Sequence, residues 1–180
     1  MELTETVIGT EPIYSGRVVN LRIDTIRQPD GHVSKREIVA HPGAVCIVPI
    51  REDGMVLLVR QFRLAAGQAL LEVPAGTREK GEDPEACAYR ELEEETGYRA
   101  IALRPLYTAY LAPGYSTELM YAYLATGLTL GQTNPDEGEK IELVEIPIAE
   151  IEDRVLAGEF ADAKTIAALL MASRLYNSND

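Results

Sequence analysis

The sequence predicts an α+β domain, layered α/β/α, preceded by a strand-rich N-terminal extension. Three observations carry that reading: β-rich runs broken by turn signals dominate the first half, one strongly capped helix sits mid-chain, and two helical patterns close it. In chain order, Val7–Tyr14, Arg17–Ile26 and Ser34–Ala40 read as strands, with the turn signal Pro29-Asp30-Gly31 between the last two. His41-Pro42-Gly43 punctuates the chain, so residues 1–43 are assigned to the extension and 44–180 to the main domain. Ala44–Ile50 and Met55–Arg60 are apolar runs separated by Arg51-Glu52-Asp53-Gly54, the pattern of a hairpin of buried strands. Further strands are expected at Ala69–Val73 and around Ala100–Leu111.

Between those two strands the clearest helix runs from Pro84 to Thr96. Asp83 suits the N-cap, Pro84 occupies the first helical position where its missing N–H is harmless, and Gly97 can end the helix in a left-handed conformation. Downstream, Leu119–Ala125 and Ile141–Ile146 read as strands. A helix follows over about Ile148–Ala157, and another runs from Asp162 as N-cap to about Tyr176, with Ile166, Leu169, Leu170 and Leu175 at helical spacing.

Composition narrows the function classes. The 180 residues are 46% apolar, ample for a core, and carry a formal net charge of −12. Such a balance argues against a protein that neutralises nucleic-acid phosphates. The longest apolar runs, Ala44–Ile50 and Ile166–Ala172, fall far short of the roughly 20 residues of a membrane-spanning helix. The N-terminus lacks a basic region followed by an apolar stretch, so no secretory signal is expected. Cys46 and Cys87 lie in apolar contexts and are expected to be reduced core thiols, which points to a cytoplasmic protein; His32 and His41 read as turn residues. The charge is also concentrated: residues 72–98 carry −6 and residues 136–145 carry −4.

On the helix from Pro84, Glu91 and Glu95 are four residues apart and Glu94 is three from Glu91, so the three carboxylates share one face. Each such pair costs a few tenths of a kcal/mol, so the face must be left in water or supplied with cations. Ala88, Leu92 and Cys87 make the opposite face apolar enough to dock on a sheet, and the glycine-containing segment Ala75–Glu82 leads into the helix. Clustered carboxylates without His or Cys suit Mg²⁺ or Mn²⁺ rather than zinc.

From Gly76 to Tyr98, GTREKGEDPEACAYRELEEETGY resembles the Nudix box: Gly76, Glu82, Arg90, Glu91, Glu94, Glu95 and Gly97 fill all its fixed positions. Tyr98 departs from it, standing where an aliphatic residue is usual. The resemblance implies a Nudix fold with a mixed sheet, and a hydrolase of nucleoside diphosphates linked to another moiety. It implies Glu91 and Glu95 as principal Mg²⁺ ligands, Glu94 as a secondary one, the Ala75 carbonyl as a further one, and Arg90 as the holder of a glutamate of the cluster, Glu82 being a candidate.

Outside the box, Val59-Arg60-Gln61-Phe62-Arg63, Leu71–Gly76 and Leu111-Ala112-Pro113-Gly114-Tyr115-Ser116-Thr117-Glu118 are similar to the ADP-ribose pyrophosphatase branch. That likeness implies that Arg63 contacts the diphosphate and that Gly114 and Glu118 face the ribose groups. The acidic segment Asp136–Ile141 resembles the branch's catalytic loop, with Glu137 as general base and Glu139 as a metal ligand, roles that could be exchanged. The branch also implies a homodimer in which the extension lines the adenine pocket, making Val18, Lys35 and Arg36 binding candidates. The expectation is Mg²⁺-dependent hydrolysis of ADP-ribose to AMP and ribose 5-phosphate. The alternatives are another nucleoside diphosphate sugar, a dinucleotide or a nucleoside triphosphate as substrate, and a non-catalytic nucleotide-sensing domain.

Overall fold

A computed structural model describes residues 3–131 and 140–177. The chain forms two compact units, Met1–Gly43 with Tyr110–Leu119, and Ala44–Ala109 with Met120–Asp180.

In the first unit, β1 (Thr6–Ser15), β2 (Asn20–Arg27) and β3 (Val33–Ala40) form an antiparallel sheet in that order. Gly31, at φ 88°, supplies the left-handed residue of the β2–β3 turn, where the Asp30 carboxylate accepts the His32 N–H at 2.9 Å. β1 has one neighbour, which tolerates Pro12, and all ten of its residues are exposed. The segment 110–119 attaches through β3: Val39 N–H donates to the Tyr115 carbonyl at 2.8 Å and accepts Thr117 N–H on its own carbonyl at 3.0 Å.

The second unit contains β4 (Ala44–Pro49), β5 (Met55–Arg63), β6 (Gln68–Glu72), β7 (Ala75–Thr77), α1 (Pro84–Thr96), β8 (Tyr98–Arg99) and β9 (Ala102–Tyr110). After these come β10 (Leu119–Thr126), β11 (Thr129–Leu130), β12 (Glu142–Pro147), α2 (Ile151–Leu156) and α3 (Ala163–Asn177). One sheet has the order β7-β4-β10-β9 and is mixed, since β4 runs parallel to β10 and antiparallel to β7; Pro105 sits in its edge strand β9. A second sheet, β12-β5-β6, is antiparallel, and β8 pairs with β11.

β4 explains the layering. All six of its residues are buried, and successive side chains point to opposite faces. Val45 and Ile47 pack with Cys87, Ala88 and Leu92 of α1. Ala44, Cys46 and Val48 join Ala168, Leu169 and Ala172 of α3 on the other face. The result is the α/β/α arrangement that the sequence predicts.

Three local expectations are corrected. β4 and β5 do not pair as a hairpin: each is flanked on both sides by other strands, leaving only the bridge Ile50↔Val56 and the Arg51 N–H to Met55 carbonyl bond. Strands buried on both faces need two partners each, and long-range pairing supplies them. In α3, Leu170 is exposed, while Thr165, Ala168, Leu169, Ala172 and Ser173 are buried, so small residues set the docking face. The helix expected from Ile148 starts as a 3₁₀ turn, Ile148–Glu150, and β7 was not anticipated. No helix among the described residues is long and apolar enough to cross a membrane.

Candidate active site

Local sequence fixes α1 first. The Asp83 carboxylate accepts N–H groups from Glu85 at 2.9 Å and Ala86 at 3.2 Å, and Gly97, at φ 74°, closes the helix with its N–H on the Glu93 carbonyl. Cys87, Ala88 and Leu92 are fully buried, so the docking of this face sets the direction of the opposite one.

On that face one guanidinium serves three carboxylates. Arg90 grips Glu82 bidentately, Nε to Oε1 and Nη2 to Oε2 both at 3.0 Å, while Nη1 reaches Glu91 at 2.7 Å and Glu94 at 2.9 Å. The hydrogen bonds from Arg90 hold the Glu82 carboxyl at about 2, against an opposing push from burial, and the Glu79 N–H assists at 2.8 Å. Arg78 also donates to the Glu82 carbonyl and lies over the Tyr121 ring at 5.4 Å.

Behind the carboxylates runs the short strand β7. A Cβ at Gly76 would overlap the Glu91 carboxylate, so glycine is what lets this side chain lie against the strand. The Glu95 carboxylate accepts the Ala75 N–H at 3.0 Å. Glu95 is thus hydrogen-bonded to β7, and Glu91 lies against the adjacent residue of that strand. The donors are carboxylate oxygens, which fits a hard divalent cation by ligand chemistry. Among the described residues, however, no three acidic, His or Cys side chains are gathered closely enough to hold a metal ion; Arg90 is the cation paired with Glu82, Glu91 and Glu94. Glu137 and Glu139 lie outside the described residues.

Arg63 belongs to a second ionic cluster that sequence reasoning missed. Its Nε lies 2.7 Å from Glu72 Oε2, and Glu72 Oε1 accepts Lys164 Nζ at 2.7 Å. Lys164 also meets Asp162 Oδ1 at 2.9 Å, the same oxygen that caps α3 through the Thr165 N–H at 3.1 Å. Glu72 is 2% exposed. The signal was a glutamate inside the apolar run Ala69-Leu70-Leu71-Glu72-Val73, since a charge buried there demands cations. Next to this corner, burial pushes the Cys46 thiol up to about 11; likewise, burial pushes that of Cys87 up to about 12. Both cysteines are free and buried.

In the first unit, Lys35, Arg36 and Gly114 line one hollow of about 400 Å³ together with Ile23, Glu37 and Tyr115. Arg36 is paired with Glu5 at 2.5 Å. Val18 is exposed in the β1–β2 connection, and Glu118 sits just before β10, its N–H bonded to Ser116 Oγ at 3.1 Å; neither lines that hollow.

A carboxylate-rich helix, hydrogen-bonded through Glu95 to a glycine-containing strand, stands on this α/β/α frame. The chain belongs to the NUDIX family: the NUDIX domain model matches residues 40–169. An ADP-ribose pyrophosphatase of Bacillus subtilis (strain 168) is 40% identical to it over 93% of this chain and 91% of its own. A methanol dehydrogenase activator of Bacillus methanolicus is 40% identical over 92% and 90%. A GDP-mannose pyrophosphatase of Cronobacter sakazakii is 36% identical over 94% and 93%. A solved structure of an ADP compounds hydrolase superposes with a TM-score of 0.87 at 25% identity, covering 97% of this chain and 95% of that one. The protein is a Nudix hydrolase.

Proposed function

We propose that this Nudix hydrolase cleaves the pyrophosphate bond of ADP-ribose, giving AMP and ribose 5-phosphate, with Mg²⁺ as cofactor and Mn²⁺ as its substitute. The observation that carries the reading is the carboxylate face of α1, where Glu95 is hydrogen-bonded to β7, Glu91 lies against it, and a single guanidinium serves Glu82, Glu91 and Glu94. Three carboxylates on one arginine leave an excess of negative charge that suits divalent cations. Glu91, Glu94 and Glu95, with the Ala75 carbonyl and Glu139, would hold the metal, which would neutralise pyrophosphate charge and acidify the attacking water. Arg90 keeps the carboxylates aligned. Glu137 takes the proton from the water, and Arg63 grips the diphosphate. Gly114 and Glu118 meet the ribose groups, and Val18, Lys35 and Arg36 meet the nucleotide. The hollow that Lys35 and Arg36 share with Gly114 supports the assignment of those three residues.

ADP-ribose is preferred because the Bacillus subtilis pyrophosphatase named for it is similar over nearly the whole chain. The GDP-mannose relative makes other nucleoside diphosphate sugars the competing substrates. A cytoplasmic homodimer is part of the proposal: β1 exposes Val7, Ile8, Ile13 and Tyr14, apolar surface that a second copy would cover. The deciding experiment is a panel of ADP-ribose, GDP-mannose, dinucleotides and nucleoside triphosphates assayed with Mg²⁺ and with Mn²⁺. Metal-dependent release of phosphomonoester, fastest from ADP-ribose, is expected. Silence on ADP-ribose with turnover of another compound overturns the substrate, and silence throughout returns the chain to the nucleotide-sensing alternative.

A further inference from the structure

We propose that Glu72 and Lys164 are positioning residues for Arg63: Glu72 aims the guanidinium, and Lys164 holds Glu72 in place by occupying its second oxygen. The inference rests on the proposed role of Arg63 as the grip on the diphosphate. Arg63 and Gln68 are register partners at the end of the β5–β6 ladder, and Glu72 lies four residues further along β6, on the same face. The Arg63 side chain therefore runs back along the sheet to reach Glu72. There it spends only Nε on the carboxylate; among the described residues Nη1 and Nη2 have no hydrogen-bond partner, and the side chain is 40% exposed. The two terminal nitrogens form the fork that binds phosphate oxygens two at a time.

A carboxylate free to turn both oxygens to the arginine could occupy the terminal nitrogens that an anionic ligand needs. Here the other oxygen of Glu72 is taken by Lys164 Nζ, whose side chain is 12% exposed. Glu72 is thereby shared between two cations, and the corner, closed by Asp162, holds two acids and two bases. Lys164 is itself fixed, since Asp162 caps α3, Thr165 Oγ1 accepts the Val73 N–H at 3.1 Å, and Tyr107 donates to the Lys164 carbonyl at 3.1 Å. The first turn of α3 is bolted to the end of β6, so the aim of Arg63 is set by packing rather than by the substrate.

The test compares Lys164→Met, Lys164→Arg, Glu72→Gln and Arg63→Ala, with the double variant Arg63→Ala/Lys164→Met, reading kcat and KM on ADP-ribose and, without turnover, ADP affinity by calorimetry. Thermal unfolding admits only folded variants to the comparison, and Lys164→Arg keeps the charge should Lys164→Met not fold. Lys164→Met and Glu72→Gln are expected to raise KM and weaken ADP about tenfold, the scale of a charge-assisted hydrogen bond, with kcat held within about twofold. Lys164→Arg should recover most of the affinity, and Lys164→Met should add nothing once Arg63 is alanine. If Arg63→Ala weakens ADP while Lys164→Met and Glu72→Gln do not, the positioning role is overturned and Arg63 keeps its place. If Arg63→Ala itself leaves ADP affinity unchanged, the grip assignment and this inference fall together. Should the parent bind ADP but leave ADP-ribose intact, the substrate reading fails while the calorimetry still judges Lys164.

Discussion

The two ionic clusters around α1 and at the β6–α3 corner differ in their balance of charge. On α1 one arginine faces three glutamates; at the β6–α3 corner one glutamate faces an arginine and a lysine, with Asp162 behind them. Among the described ion pairs the first sets three carboxylates on one guanidinium, and the second sets two carboxylates with two cations. An unbalanced acidic face is costly for a helix to keep, whereas a charge-paired quartet is an internal fastening. Local charge, rather than the −12 of the whole chain, therefore separates the proposed seat for added cations from a scaffold.

That contrast can be broken most directly at Glu91. Glu91→Gln should lower kcat by about a hundredfold or more with the fold intact, in line with the loss of a metal ligand or its support; near-parental turnover would remove the catalytic assignment. Next in size, Gly76→Ala should push the Glu91 carboxylate off β7 and reduce turnover at least tenfold, the order of loss when an essential group is displaced by about an ångström. A change in stability alone, with turnover unaltered, would contradict it.

Leu92→Ala tests the docking that directs the acidic face. It should cost about 2–5 kcal/mol in chemical denaturation, because a fully buried side chain leaves a cavity. The clusters are then compared by adding Mg²⁺ to the folded protein: saturating ion should raise Tm in the parent and in Lys164→Met, but much less in Glu91→Gln. An equal rise in all three would show that the ion binds elsewhere.

The smallest effect is acid sensitivity. Glu82 has a folded-state value near 2 against an ordinary 4.5, so its pairing with Arg90 stabilises the fold fully above pH 4.5 and is lost as pH falls towards 2. Glu82→Gln should flatten the stability profile inside that window and leave its slope above pH 5 unchanged.

The cap residues made α1 legible to the residue, since Asp83, Pro84 and Gly97 act locally and need no knowledge of the rest of the chain. Pairing was not legible in the same way. Ala44–Ile50 and Met55–Arg60 look like neighbours because a short turn joins them, yet β4 finds β10 about seventy-five residues away in sequence. The box residues were visible as a spacing, while the Glu72 cluster was not, because Arg63, Glu72, Asp162 and Lys164 come from three elements and share no local pattern. β7 escaped notice for a similar reason: three residues after Pro74 carry no periodicity, and only pairing with β4 makes them a strand.

Burial of β4 on both faces, with hydrogen bonds to strands on both edges, also sets where the molecule opens last. Its amides have no route to solvent short of parting β7 and β10, so in hydrogen–deuterium exchange Val45 to Val48 should be among the slowest in the protein, reporting global unfolding. β1, with one neighbour and every residue exposed, belongs at the fast end of that scale in an isolated chain.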